Sequence, residues 1–348
     1  MMNKVGIIIL NWNGKNHLET YLPSVEQYSK EAQIVVVDND STDDSVEFLK
    51  VNYPHISLIH NESNGGFAKG YNEGLEQIKN QFDYYVLLNS DVEVTENWIS
   101  PIIKLMEEDK EIAACQPKIL AYKEKTKFEH AGASGGFMDV NGYPFCRGRI
   151  FDQNEVDTKQ YDSVQEVFWA TGACMFLRAK DFHEMGGFDN DYFAHMEEID
   201  LCWRMKLHGK KVMVNPNSVV YHLGGGTLNY MSPRKVYLNF RNSLFTLYKN
   251  YRGSFLFFKI IWRFLLDYVA SLAFIVNGEW KAAWQVLKAQ VHFVKKLKSM
   301  KVKRRALKAS SNNLVPNRKG IYIKSIVFSS FVKGKKHFSE LDKNNFIS

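Results

Sequence analysis

Four apolar runs, each closing on a polar or acidic residue, dictate what the N-terminal part of this chain can become. VGIIIL (5–10), IVVVD (34–38), ISLIH (56–60) and YYVLLN (84–89) are separated by polar loops and helix-forming stretches. Continuous rather than alternating hydrophobicity is the mark of strands covered on both faces. Between the first two runs, Leu18, Leu22 and Val25 share one helical face. Ser41-Thr42-Asp43-Asp44 then offers N-cap chemistry for a helix over about 44–51, and the Gly-rich NGGFAKG (64–70) leads into a helix through Ile78. Strand and helix in strict alternation predict an α/β fold, a doubly wound and mainly parallel sheet with helices on both faces. Ligands of such sheets lie beyond the carboxyl ends of the strands. Asn11, Asp38, Asn64 and Asp91 sit just past strand ends and are expected to converge on one crevice.

Residues 92–230 are more mixed. The pattern predicts a helix near 97–108, a strand near 112–120, and turns around 132–136 and 141–148. VFWATGACMFLRA (167–179) reads as a strand interrupted by Gly172; a helix over 198–208 and strands at 211–216 and 219–226 follow. Cysteines at 115, 146, 174 and 202 form no CxxC pair, which argues against a disulfide scaffold or a structural zinc site and fits a reducing, cytoplasmic compartment. The apolar start is too short for a secretory signal.

Charge divides the chain. Residues 1–230 carry 21 Lys and Arg against 34 Asp and Glu, whereas residues 231–348 carry 24 against 4. The expected organisation is an acidic globular domain (1–230) and a basic amphipathic helical region (231–348) that meets something anionic. SFLFFKIIWRFLLDYVASLAFIV (254–276) is long enough to cross a bilayer, yet Lys259, Arg263 and Asp267 fall on one helix face, which favours a helix lying in the interface. In 279–298, Trp280, Trp284, Leu287, Val291 and Val294 share a face while Lys281, Lys288 and Lys295 recur every seven residues. KSMKVKRR (298–305) and a Lys-flanked apolar stretch (321–332) complete the tail. Aromatic content opposite the basic stripe favours an anionic membrane surface over nucleic acid. The bland alternative is a helical hairpin packed on the protein itself.

Several residue groups carry possible chemistry. A carboxylate at Asp38 could accept from a pyrimidine imide or a ribose hydroxyl. NGGFAKGYNEG, with Asn64, Gly65, Gly66 and Asn72, lacks the GKS/T of a P-loop, which disfavours ATP hydrolysis. Asp91, beside Asn89 and Ser90, could hold Mg²⁺ or Mn²⁺ against a diphosphate, and His222 could add an imidazole. The sharpest cluster is FAHMEEIDLCWR (193–204). Glu197, Glu198 and Asp200 open a helix, mutual repulsion should raise at least one pKa, and a poised carboxylate is what a general base requires. Arg204, four residues beyond Asp200, could pair with that acid or with phosphate.

VGIIILNWNG, VVVDNDSTDDS, NGGFAKGYNEGL, YYVLLNSDVEV, WATGACMFLRAKDFHEMGGFDNDYF, HMEEIDLCWR and YHLGG, in this order, resemble the family 2 glycosyltransferases of GT-A fold, notably the rhamnosyltransferase-like branch. The resemblance implies transfer of a sugar from a nucleoside-diphosphate donor, with dTDP-rhamnose the donor of that branch, to a glycan or lipid-linked glycan in cell-surface polysaccharide synthesis. It implies that Asn11, Asn13, Asp38, Asn64, Gly65, Gly66, Asn72, Asn89, Ser90, Asp91 and Arg204 line the donor side. Trp169 and Gly172 would line the acceptor side, Asp91 and His222 would hold a divalent metal, and Glu198, with Glu197 and Asp200 beside it, would supply the base of an inverting reaction. Two departures stand out: Asn89-Ser90-Asp91 keeps one acid of the DxD-type motif, and the base position is Glu rather than Asp. No QxxRW motif follows, so transfer of single sugars is expected, at the inner face of the plasma membrane. Competing readings are a sugar-nucleotide nucleotidyltransferase, disfavoured because 11–16 offers only Lys15, and an inactive membrane scaffold, disfavoured by the intact acid cluster.

Overall fold

The computed structural model describes residues 4–224 and 232–347. The apolar runs become strands β1 (Val5–Asn11), β2 (Gln33–Asp38), β3 (Ser57–His60) and β4 (Tyr84–Asn89), alternating with helices α1 (Lys15–Tyr28), α2 (Ser45–Asn52) and α3 (Gly66–Gln77). They pair in parallel in the order β4-β1-β2-β3. Successive side chains of a strand point to opposite faces. Ile7 and Ile9 therefore pack with Leu18, Leu22 and Val25 of α1, while Ile8 joins Tyr71 and Leu75 of α3 on the other side.

Beyond β4 the sheet is mixed. β5 (Val92–Val94), helix α4 (Ser100–Glu108) and β6 (Ile112–Ala121) lead to a small second sheet. Its strands are β7 (Gly136–Asp139), β8 (Pro144–Cys146), β9 (Arg149–Ile150) and β10 (Gln153–Asn154). The chain re-enters the main sheet as β11 (Gln165–Val167) and β12 (Cys174–Arg178), passes through α5 (Ala179–Glu184) and α6 (Glu197–Leu207), and runs along β13 (Lys211–His222). β12 lies antiparallel between β4 and β6, so the parallel pairing of the expected, mainly parallel sheet is found in β1–β4 and in the β6–β13 pair. The two strands expected at 211–216 and 219–226 are one, with a bulge between Asn215 and Val219. Gly225 and Gly226 and the boundary expected at 230/231 lie outside the described residues.

Helices α7 (Pro233–Asn250), α8 (Leu256–Val276) and α9 (Trp280–Ser310) follow, then β14 (Ile321–Tyr322), which pairs with β7 of the small sheet. Leu244, Phe245, Phe293, Met300 and Tyr322 belong to the same apolar core as Tyr71 and Tyr85, so the tail is packed into the body of the protein. Its orientation differs from the sequence reading. Arg263 and Asp267 point inward, 3.1 Å apart, with the guanidinium 3.6 Å above the Tyr143 ring and donating to Ser243 Oγ at 2.7 Å. The apolar side of α8 faces outward: Phe257 is 71% exposed, Trp262 51%, Val269 62% and Leu272 61%. Trp280, Trp284, Val291 and Val294 of α9 are also exposed, while Ala282, Ala283, Val286 and Phe293 pack inward. Among the described residues, no helix is long and apolar enough to cross a membrane.

Candidate active site

The strand ends do converge. Asn11 and Asp38 are register partners at the ends of β1 and β2, and Asn11 Nδ2 donates to Asp38 Oδ1 at 3.1 Å and to Ser45 Oγ at 2.9 Å. The other Asp38 oxygen accepts from the Ser41 amide at 3.1 Å. Asn13, at a positive φ of 50°, accepts the Thr42 amide at 2.7 Å and so pins the loop after β2 against the loop after β1. Gly14 must be small: a Cβ there would stand 2.4 Å from Asn11 Oδ1 and 3.6 Å from Ser90 Oγ, at the end of β4.

Two asparagines absent from the sequence candidates complete this side. Asn39 donates to Asn64 Oδ1 at 3.0 Å and to the Gly66 carbonyl at 3.2 Å. Asn61 donates to Asn39 Oδ1 at 3.0 Å and to the Gly70 carbonyl at 3.1 Å. Asn64 in turn accepts the Gly66 amide at 2.9 Å, so the Gly-rich loop is held by side-chain amides. The signal for them was faint: each is one more polar residue just after a strand.

β5 begins directly after Asp91 and pairs antiparallel with the end of β13, Val92 opposite His222. That pairing places Asp91 Oδ1 3.2 Å from His222 Nε2, although 131 residues separate them in sequence. Glu129, on the return from β6, brings Oε2 to 3.2 Å from His222 Nδ1. The sequence reading missed Glu129, which no motif marks. Burial alone would lower the His222 pKa; Asp91 and Glu129 overcome it and push the imidazole up to about 10. Burial opposes ionisation of Glu129 too, but His222 draws it down to about 2. Asn89 Nδ2 lies 3.5 Å from His222 Nε2.

The acid cluster is presented by a strained loop. Phe193, His195 and Met196 all have positive φ (66°, 69° and 72°), and Met196 caps α6 in the left-handed region. Such geometry persists only when the surroundings impose it. Here Asn242 of α7 donates to the carbonyls of Tyr192, Ala194 and His195 at 3.0, 2.9 and 2.7 Å. Arg241 donates to those of Asp191 and Tyr192, both at 2.9 Å. The Phe193 carbonyl accepts from the Ala68 amide at 3.2 Å, which brings the acid loop against the Gly-rich loop.

The three acids differ in environment. Asp200 is fully buried and saturated: it accepts from Arg204 Nε at 2.9 Å, Lys249 Nζ at 2.8 Å and Asn250 Nδ2 at 2.8 Å. Burial opposes its charge, but Lys249 and Arg204 hold its pKa below the usual range. It is a structural anion. Glu197 is buried with Oε2 unpartnered, and burial, then Glu198, raises its pKa well above the usual carboxylate range. Glu198 is half-buried, its Oε2 is also unpartnered, and burial pushes its pKa up to about 7. Of the three, only Glu198 combines a proton affinity near neutrality with a side chain that is not fully buried.

Other expected site residues serve the scaffold. Asn72 exchanges hydrogen bonds with the Phe188 backbone at 2.8 and 2.9 Å and donates to Asn190. Arg204 is spent on Asp200 and on the carbonyls of Met185 and Gly187, not on an open phosphate site. The indole of Trp169 is buried and donates to the Phe137 carbonyl at 2.9 Å. Gly172 packs against the Gly-rich loop: a Cβ there would meet Phe67 at 3.0 Å.

The mixed sheet of this order, with Asp38 and Asp91 at the ends of its parallel strands, is of GT-A type. Residues 6–183 match the sequence model described as Glycosyl transferase family 2. The chain belongs to that family. The match stops before α6, so the acid cluster and His222 lie beyond it. Similar curated proteins include the N-acetylglucosaminyl-diphospho-decaprenol L-rhamnosyltransferase of Mycobacterium tuberculosis, 23% identical over 64% of this chain and 76% of that protein. Rhamnosyltransferase WbbL of Escherichia coli (strain K12) is 24% identical over 61% of this chain and 80% of its own length. Among solved structures, S. aureus TarS 1-349 aligns with a TM-score of 0.55 at 13% identity, covering 95% of this chain and 92% of that one. GalNAc-T7 with UDP, GalNAc and Mn2+ aligns with a TM-score of 0.54 at 17% identity, covering 71% of this chain and 48% of that one. These structural likenesses establish the fold.

Proposed function

We propose that this glycosyltransferase moves one sugar, with inversion, from a nucleoside-diphosphate sugar to a lipid-linked glycan at a membrane surface. The observation that carries the reading is Glu198, a carboxylate with a pKa near 7 and an Oε2 without a hydrogen-bond partner, at the start of the helix whose preceding loop packs on the Gly-rich loop. Asp38 accepts from the nucleoside, and the Gly-rich loop held by Asn39 and Asn61 lets backbone approach the donor. Glu198 takes the proton of an acceptor hydroxyl as its oxygen attacks the anomeric carbon. The nucleoside diphosphate departs from the opposite face, which inverts the configuration.

A divalent cation fits the residues present. Among the described residues no cluster of three or more His, Cys, Asp or Glu side chains is arranged for a metal. Yet Asp91 Oδ1 and His222 Nε2 face each other at 3.2 Å, and a bound cation would take the place of the imidazolium proton that Asp91 and Glu129 stabilise there. Such sites commonly use one or two protein ligands and take the rest from phosphate and water. Asp91 and His222 would hold the ion, which, when bound, neutralises charge on the diphosphate. Imidazole as a ligand favours Mn²⁺ over Mg²⁺. Mannosyltransferase PcManGT from Pyrobaculum calidifontis, described in complex with GDP-Man and Mn2+, aligns with a TM-score of 0.51 at 13% identity.

The acceptor class follows the rhamnosyltransferase relatives, the first of which is named for a diphospho-decaprenol substrate. The outward apolar faces of α8 and α9, flanked by exposed Lys281, Lys288, Lys295 and Lys298, match an anionic bilayer in both hydrophobicity and charge. Donor identity is tested by screening nucleotide sugars, dTDP-rhamnose first, for Mn²⁺-dependent hydrolysis and transfer. A single donor class should respond, and its turnover should fall about 10²–10⁴-fold in Glu198→Gln with donor binding retained. Full activity of that variant would overturn the role of Glu198.

A further inference from the structure

Beside the acid loop lies a cleft of about 500 Å³, lined by Phe193, Arg234, Tyr237, Arg241, Gln285 and Lys288. Three of these are cations. Among the described residues, none of the three forms an ion pair with a carboxylate: the Arg234 guanidinium lies 4.7 Å from the Phe193 ring centre, Lys288 Nζ 5.3 Å from that of Tyr237, and Arg241 donates to backbone carbonyls. Cations gathered in a concavity without a counter-charge make a site for an anion, and guanidinium with ammonium suits phosphate oxygens.

The position of the cleft narrows the choice of anion. One wall, Phe193, also touches the Gly-rich loop and lies five residues before Glu198. Another lining residue, Lys288 of α9, follows Trp284 by one helical turn, and Trp284 is 65% exposed on the outward apolar face. The order across the surface is therefore catalytic loop, cationic cleft, apolar face. A lipid-linked acceptor has the same order: sugar, diphosphate, hydrocarbon.

We propose that this cleft binds the diphosphate of the lipid-linked acceptor, between the sugar at Glu198 and the lipid along α8 and α9. The proposal rests on the acceptor class argued above. It predicts that Arg234 and Lys288, both exposed and outside the catalytic machinery, set acceptor affinity through phosphate.

The test is titration of the full-length protein with farnesyl diphosphate, with excess dTDP, UDP and Mn²⁺ present to occupy the donor site. Farnesol serves as the diphosphate-free control. The wild type should bind farnesyl diphosphate, and R234A/K288A should weaken that binding at least ~10-fold, since charge-assisted bonds are lost. Farnesol binding should not change, and R234K/K288R should keep most of the affinity. Absence of binding to the wild type, or equal affinity in R234A/K288A, overturns the proposal. A variant that loses binding to phosphatidylglycerol vesicles but keeps farnesyl diphosphate affinity also overturns it, assigning the cleft to a phospholipid headgroup. Donor hydrolysis is read separately, so failure of the transferase reading is distinguishable from failure of this one.

Discussion

Lys249 of α7 places its ammonium 2.8 Å from Asp200 Oδ2 in α6 and 2.6 Å from Asp189 Oδ2 in the loop before it. Lys303 of α9 contacts Asp189 and Asp191 from the other side. The basic tail thus holds the acid loop as well as facing outward. Lys249→Met would leave Asp200 buried with one cation fewer and Asp189 half-compensated. Breaking a buried pair by removing one partner costs about 3–5 kcal/mol. A fall of that size in unfolding free energy is expected in denaturant titration, with a second asparagine substitution at Asp200 recovering part of it. Because the folded-state pKa of Asp200 is depressed, its stabilisation is present above the unfolded carboxylate range and fades as pH falls through that range and below. A wild-type acid limb that Lys249→Met lacks is the second readout.

Glu198 acts as a base only when ionised, and burial places its pKa near 7. The rate under subsaturating acceptor should therefore rise with pH through about 7 and level off above it. Glu198→Gln should lower turnover by about 10²–10⁴-fold, the usual contribution of a positioned general base. Residual activity should lose the inflection. A wild-type rate independent of pH between 6 and 8 would remove Glu198 from the proton transfer.

The parallel strands and the residues at their ends were legible because one apolar run per strand and one polar residue at its close are local features. Asp38 closes β2 and Asp91 follows β4, as the strand-end rule expects, and Glu198 lies in the first turn of α6. Glu129 was not legible: it follows a local hairpin return but reaches His222 only through the long-range pairing of β6 with β13. Arg204 shows the opposite failure. Its spacing from Asp200 fits an ion pair and a phosphate clamp equally, and only the carbonyls of Met185 and Gly187 decide the matter. The tail failed for a third reason. Periodicity shows that Arg263 and Asp267 share a face, but which face turns inward depends on Tyr143 and Ser243, far away in sequence.

Glu197 gives a stability prediction of opposite sign to that of Asp200. Burial and the neighbouring Glu198 raise its pKa well above the usual value. Above about pH 4.3 the unfolded chain releases this proton while the folded protein keeps it, so stability falls as pH rises. Glu197→Gln keeps the shape and removes the titration. Its thermal midpoint should exceed that of the wild type at pH 8 and converge with it near pH 4.5. A lower midpoint at pH 8 would mean that Glu197 is ionised and paired in the folded state.

Trp262 and Arg263 are neighbours on α8 that face opposite ways, one 51% exposed and the other 2%. Their substitutions should part accordingly. Arg263→Leu strips the buried Asp267 of its partner and should cost about 3–5 kcal/mol, most of it regained when Asp267 is also replaced by leucine. Neither change should alter flotation with phosphatidylglycerol vesicles once the folded fraction is matched, because the pair faces the protein. Trp262→Glu together with Val269→Glu should leave unfolding within about 0.5 kcal/mol, as surface changes usually do. The same pair of changes puts two carboxylates on the face that meets lipid, so vesicle binding should be lost. If Arg263→Leu abolished flotation and the two glutamates did not, the outward apolar face of α8 would not be the surface that meets the membrane.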